Sequence, residues 1–374
     1  MKKLRGLIDK TSFTKLVIAL ICYFVMTKIF RIISIILMMV GFKAFAQNTN
    51  INQNKFRQLD YELPTPNVYR TASGAPGHAY WQNTADYVMN VTLDDENQRI
   101  YGIESINYTN NSPDELEYLW IQLDQNVRNP ESETYKIQQA NIRDGLSLYE
   151  YFNLFHTFPG GFNLDYVNDE NGNPYTVKVN HTMMRINLSK PLQSGDSITV
   201  NIKWWYTIND RMEIGGRSGY EYFKEENNYL YTIAQFFPRM AVYSDVTGWQ
   251  NKQFLGRGEF TLPFGDYDVK LTVPASMVVG ATGEIQNTKD VLSSKQMERL
   301  EQAKNSDKPV LIVTQEEAIA NEKDRTTNTK TWHFKAENVR DYGWCASRKF
   351  IWDAQGVQFG DRTVMAMSLY PKEG

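Results

Sequence analysis

The chain has 374 residues, 42% of them apolar, which is enough for one large or two ordinary domains with a proper core. Residues 1–46 hold eight Lys/Arg against the single acid Asp9, so the remaining chain carries 32 bases and 42 acids. An acidic body without a basic stripe gives no reason to expect a nucleic-acid partner. Of the two cysteines, Cys22 lies in the leader and Cys345 in the body, so a disulfide within the body is excluded.

Residues 16–26 and 32–42 are apolar, split by Lys28 and Arg31, and are followed by Ala44-Phe45-Ala46 and a polar run from Gln47. A basic start, an apolar stretch and a small-x-small tripeptide describe a secretory signal peptide over 1–46, cleaved after Ala46. Met26 opens a more compact version and is a second candidate start. The competing reading, a retained anchor, is disfavoured because each run is shorter than the roughly 20 residues a membrane span needs. The body is therefore expected to be exported, with no stable membrane anchor after cleavage.

Residues 47–85, rich in Asn, Gln, Pro and Gly, read as an extended segment. Alternation then sets in: Tyr87–Leu93 and Ile100–Tyr108 predict an antiparallel pair across Asp94-Asp95-Glu96-Asn97. Further strands are predicted at Tyr118–Leu123, Met184–Leu188, Ser197–Thr207, Tyr229–Ala234, Tyr267–Val273, Val310–Thr314 and Lys330–Lys335. Turns are predicted at 168–174, around Asn171-Gly172, and at 192–196. Ser293 caps a helix over Ser293–Asn305, with Met297 and Leu300 at helical spacing, and a second short helix is predicted through Val339–Phe350. The fold class is mainly β: a large antiparallel domain of sandwich-type sheets with one or two short helices.

Hydrolytic zinc sites need converging His and carboxylate ligands, often two His on adjacent helical turns. His78, His156, His181 and His333 are scattered, none is followed by Glu, and they read as surface or packing residues. No metal site and no catalytic residue is expected in this chain. Cys345, in Trp344-Cys345-Ala346, reads as a buried inert thiol. Asp94/Asp95 and Glu316/Glu317 read as solvated charges, and Gly256–Phe260 fits no phosphate loop. One stretch stands out. Gly215-Gly216-Arg217-Ser218-Gly219 leads into the strand Tyr229–Ala234, then Gln235-Phe236-Phe237-Pro238-Arg239, and on to Gly248-Trp249-Gln250. Composition leaves two readings open: a binding surface lined with aromatics, or a glycine-bounded hairpin with an aromatic core.

At this stretch YLYTIAQFFPRMAVYSDVTGWQNKQFLGRGEF, followed by DVKLTVPASMVVGATGE, resembles the N-terminal β-domain of aminopeptidase N-like zinc metallopeptidases (peptidase family M1), in a bacterial exported branch. Tyr80-Trp81-Gln82 with Ala85-Asp86-Tyr87, GIESINYTNNSPDELEYLWIQLDQN at 102–126 and WHFKAENVRDYGWCAS at 332–347 agree in order. The resemblance implies a saddle-shaped β-domain over 86–350 that flanks a catalytic domain, with 351–374 opening the connection to it. It implies that zinc and the peptide substrate are held by that missing part, so the chain as given is a fragment, binds no zinc and is inactive alone. It also implies that Gln235, in Thr232-Ile233-Ala234-Gln235, reaches the active site and holds the substrate's N-terminal residue. The following Phe-Phe-Pro-Arg departs from better-known members. A different class of function stays beside it: a stand-alone β-rich module binding peptides or glycans, or serving as a scaffold.

Overall fold

The computed structural model describes residues 19, 21–29, 66–137, 145, 158–256, 258 and 261–374. The chain divides into two units, Met1–Pro64 and Thr65–Gly374. In the first, residues 21–29 form an exposed helical stretch. No helix among the described residues is long and apolar enough to cross a membrane. The cleavage expected after Ala46 and the apolar run 32–42 lie outside the described residues, as does His156.

In the second unit β1 (Thr84–Asp94) and β2 (Arg99–Thr109) form the expected antiparallel pair. There follow β3 (Leu116–Gln122), a single 3-10 turn (Asp124–Arg128), α1 (Glu133–Ile137), β4 (Asn163–Asn168), β5 (Thr176–Asn180), β6 (Met183–Leu192) and β7 (Ser197–Thr207). Next come β8 (Gly219–Phe223), β9 (Asn228–Ile233), β10 (Arg239–Met240), β11 (Tyr243–Ser244), β12 (Gly248–Trp249) and β13 (Gly265–Pro274). The chain continues through β14 (Val278–Ala281), β15 (Glu284–Ile285), α2 (Thr288–Val291), α3 (Ser294–Ala303), β16 (Val310–Val313) and α4 (Gln315–Lys323). It closes with β17 (Thr329–Val339), β18 (Trp344–Ser347), β19 (Ile351–Phe359) and β20 (Arg362–Tyr370).

The strands build a seven-stranded sheet in the order β15-β17-β13-β1-β2-β7-β4, two four-stranded sheets (β10-β3-β6-β5 and β14-β18-β9-β8), and smaller sheets β16-β19-β20 and β11-β12. The domain is mainly β and mostly antiparallel, as expected, with the single exception among these named pairs of β1 and β13, which run parallel. Strict alternation places Tyr87, Met89 and Val91 of β1, Ile106 and Tyr108 of β2, Trp204 and Tyr206 of β7 and Tyr267 and Val269 of β13 on one buried face. That face shares one apolar core with Leu119 and Ile121 of β3 and Ile186 of β6. Gly102 faces it where no side chain fits, because a Cβ there would lie 2.2 Å from the Trp204 ring.

The helix over 294–303 forms with the expected cap: the Ser293 hydroxyl accepts from the Gln296 amide and the Gln296 side chain accepts from the Ser293 N–H. The helix expected through Val339–Phe350 does not. Val339 ends β17, and Trp344–Ser347 is β18, inserted between β9 and β14. Its buried residues Trp344 and Ala346, with Tyr342 just ahead of it, are two apart, the period of a strand. Four α-helices occur among the described residues of this unit instead of one or two. Of these α4 owes its start to a Thr314/Glu317 capping box rather than to an apolar stripe. Two charges read as solvated are engaged. Asp95 pairs with Arg348 at 2.8 Å and accepts from the Tyr231 hydroxyl, and Glu317 pairs with Arg299.

One inward position is not apolar. Glu104 of β2 is 1% exposed and neither carboxylate oxygen has a hydrogen-bond partner. Burial pushes its pKa well above the usual carboxylate range. The nearby Trp204 indole opposes this only weakly, because its N–H does not reach hydrogen-bonding geometry. With the folded pKa raised, the stability that protonated Glu104 supports is complete below the unfolded carboxylate pKa and is lost as pH rises above it. Glu104→Gln is therefore expected to raise stability at neutral pH. It should also remove a fall of up to about 1.4 kcal/mol per pH unit from the wild-type curve, measured by urea unfolding at a series of pH values.

Candidate functional site

Beyond Ile233, the last residue of β9, the chain leaves the sheet and turns inward. Phe236 and Phe237 are fully buried. The Phe236 ring packs on Trp204, Tyr342 and Trp344, and that of Phe237 on Tyr87 and Tyr267. Two residues on, Arg239 of β10 is 5% exposed. Its Nε and Nη2 donate to Asp124 Oδ2 at 3.1 and 2.7 Å, and its Nη1 donates to Asp341 Oδ2 at 2.7 Å. Burial works to lower the Arg239 pKa, but the two carboxylates outweigh it and hold the guanidinium firmly charged. Asp124 responds in the opposite sense, burial pushing it up against the pull of Arg239. A guanidinium cannot give up its proton, so the pair is ionised and the rise at Asp124 reflects lost hydration.

The 3-10 turn that carries Asp124 also carries Gln125, 2% exposed. The Gln125 Nε2 donates to the main-chain carbonyl of Gln235 at 2.8 Å, and its Oε1 accepts from Arg128 Nη1 at 2.9 Å. The Ala234 N–H donates to the Ser218 hydroxyl at 3.1 Å. Ser218 stands in the glycine loop, which is pressed against Asn209: the Tyr220 N–H donates to the Asn209 carbonyl, and a Cβ on Gly219 (φ +148°) would lie 2.5 Å from that oxygen. The main chain at Ala234-Gln235 is thus held at the Ala234 N–H and at the Gln235 carbonyl. Gln235 has a φ of +52°, a left-handed conformation that costs a residue with a Cβ roughly 1–2 kcal/mol. Its half-buried side-chain amide has no hydrogen-bond partner among the described residues. A neutral amide so placed offers both a donor and an acceptor to a ligand.

The two readings left open by composition each hold for part of the stretch. Phe236, Phe237 and Arg239 are core, while Gln235 stands at the surface. Tyr243 and Trp249 join a separate stack with Trp81 and Tyr108. Gln125, Arg128 and the Arg239 carboxylates were not singled out in the sequence. The available signal was the polar Asp124-Gln125-Asn126 directly after an apolar strand.

The described histidines lie on different elements. His78 is exposed. His181, at the turn between β5 and β6, has Nε2 3.2 Å from Glu133, and His333 on β17 has Nε2 2.7 Å from Asp268. Among the described residues, only Glu226, Glu322 and Glu373 bring three potential ligand atoms within 4.8 Å of one another. Two ammonium groups already sit among these carboxylates: Lys349 Nζ at 2.9 Å from Glu322 and Glu373, and Lys372 Nζ at 2.8 and 3.0 Å from Glu226 and Glu322. Such a set, with no His or Cys among its donors and two ammonium groups already seated between its carboxylates, does not fit a zinc site. Cys345 on β18 has its thiol pushed up to about 11 by burial, so it is poorly suited to act as a nucleophile.

No protein-family model matches the chain, and no curated protein matches it. Among solved structures it is similar to an M1 zinc metallopeptidase from Deinococcus radiodurans, at 13% identity and a TM-score of 0.42, over 79% of this chain and 49% of that one. A point mutant of that metallopeptidase gives 12% identity and a TM-score of 0.42, over 80% and 50% of the two chains. The same mutant bound to a Tyr-Ser-Ala substrate gives 12% and 0.41, over 78% and 48%. The chain spans about half the length of these structures.

Two variants separate the anchor from the residue it presents. Arg239→Met leaves Asp124 buried without its cation and is expected to cost about 3–5 kcal/mol in denaturant unfolding, much of it recovered when Asp124→Leu is added. Gln235→Gly relieves the left-handed backbone and is expected to be neutral or to stabilise by up to about 1 kcal/mol, read as an unchanged or raised midpoint.

Proposed function

We propose that the chain is the substrate-flanking β-domain of an exported zinc aminopeptidase, with Gln235 holding the N-terminal residue of the peptide substrate. The observation that carries this reading is the Gln235 side-chain amide, which has no protein partner among the described residues and stands on a main chain held by Gln125 and Ser218. Backbone strain kept in place by its surroundings is a recurring mark of functional positions. The motif resemblance supplies the chemistry: Thr232-Ile233-Ala234-Gln235 matches the strand end that faces the substrate's amino group in the aminopeptidase N type.

In this reading zinc and the groups that activate water belong to a catalytic domain outside the chain, as the motif resemblance implies. The segment 1–46 serves as the signal peptide, and residues 351–374 lead into that catalytic domain. The acidic body and the absence of a basic stripe accord with a peptide partner rather than a nucleic acid.

The test is steady-state kinetics on the full-length protein. Gln235→Ala is expected to lower kcat/KM for peptides with a free amino terminus by about 10-fold or more, the weight of a hydrogen bond to a charged group. It should leave thermal stability unchanged. An unaltered kcat/KM would remove Gln235 from the site. Zinc-dependent turnover by the isolated 47–374 chain would overturn the division of labour. Saturable binding of peptides or glycans by a full-length protein without turnover would favour the stand-alone module.

A further inference from the structure

The described residues line a partly open cavity of about 310 Å³ between the segment ahead of β1, the β11–β12 hairpin and residues 261–264. Most of its polar groups are satisfied internally. Arg70 donates to both oxygens of Asp245 at 2.7 and 2.8 Å and lies 5.0 Å over the Tyr80 ring, so this cation and this acid cancel. The Tyr80 hydroxyl accepts from Gln82 at 2.8 Å. One face of the Trp81 indole is covered by the Tyr243 ring, centroids 5.8 Å apart.

Two lining groups are left over. The Trp81 indole N–H is buried and has no hydrogen-bond partner. The Arg340 guanidinium is exposed, lies 6.0 Å from the Phe264 ring centroid, and pairs with no carboxylate among the described residues. The lining therefore carries one uncompensated positive charge in an otherwise acidic body. A volume near 300 Å³ is the lower bound for small-molecule sites. A planar guanidinium matches a carboxylate in a two-point fork, whereas a doubly charged phosphate would call for a second free cation.

We propose that this cavity binds a small carboxylate carried on a flat apolar body. The acid group meets Arg340, and the body lies against Tyr80 and Phe264. The proposal is independent of the peptidase reading and uses none of the residues assigned to it.

The test titrates N-acetylphenylalanine into the full-length protein while following the Trp81 indole N–H resonance by NMR. Saturable binding is expected, weaker by about tenfold for N-acetylphenylalaninamide and for the protein carrying Arg340→Ala. Arg340 is exposed, so that variant is expected to fold, with an unchanged thermal midpoint as the check. A short peptide ending in free phenylalanine serves as a second probe: comparable binding supports the carboxylate of a chain terminus, and preference for the smaller acid supports a free metabolite-sized ligand. Absence of saturation, equal binding of acid and amide, or insensitivity to Arg340→Ala would each overturn the proposal. So would selective binding of a neutral pyranoside.

Discussion

A buried guanidinium between two carboxylates sets the terms for everything around it. Arg239 can be this deep only while Asp124 and Asp341 stand where they do, since removing either leaves an uncompensated charge away from water. Those acids come from distant parts of the chain, one on the 3-10 turn after β3 and one ahead of β18. Three separate elements are thereby fixed at one point. The Phe236–Phe237 wedge fills the space beside it, with Tyr87, Tyr267, Tyr342, Trp204 and Trp344 closing around the two rings.

The contrast with Glu104 shows what the cation does. Both Glu104 and Asp124 are about 1% exposed in the same core. Asp124 has Arg239 within 2.7 Å, so its charge is held; Glu104 has no cation in contact, and burial drives it toward the neutral acid. One carboxyl group is a fixed anion that orders the chain, and the other is a titratable weak point in the sheet. Local dielectric is shared, and the partner decides.

Regular alternation made much of the fold legible. Tyr87–Leu93, Ile100–Tyr108 and Ser197–Thr207 became β1, β2 and β7 because one face is buried and the other solvated, which imprints a period of two. Ser293 announced α3 through its cap. The strands that left no such imprint were harder to read. All of β5 is exposed, and β20 is mostly so, which leaves no apolar rhythm to detect. Val339–Phe350 read as a helix because apolar residues also fall three and four apart there, and only pairing with β9 and β14 decides the matter. Asp95 looked like one more turn charge, since nothing nearby in sequence announces Arg348. Arg239 was opaque for the same reason: an arginine after Phe-Phe-Pro is ordinarily a surface residue, and its two acids lie 115 and 102 positions away. Gln235 was singled out through the motif resemblance. The left-handed backbone that turns its side chain away from the core was not, because non-glycine residues seldom adopt it.

The strand that leads to Gln235 is held at both ends by charge. Beyond its C-terminal end stands the Arg239 cluster. Before its first residue, Glu226 joins Glu322 and Glu373 around the ammonium groups of Lys349 and Lys372. Lys349 is wholly buried and lies 4.5 Å over the Phe223 ring of β8. Three carboxylates this close would repel one another if bare; with two ammonium groups among them, they form an alternating lattice that joins the β8–β9 turn to α4 and to residues 372–373. Burial works to lower the Lys349 pKa, but its acid partners hold it above the ordinary lysine range, while Lys372 pulls Glu226 below the carboxylate range. The lattice is therefore complete above the unfolded carboxylate pKa and below the unfolded lysine pKa, and it weakens as pH leaves that window in either direction. Two ion clusters at opposite ends make β9 a fixed rail. The backbone just past such a rail, at Ala234 and Gln235, takes its direction from the fixed elements on either side of it.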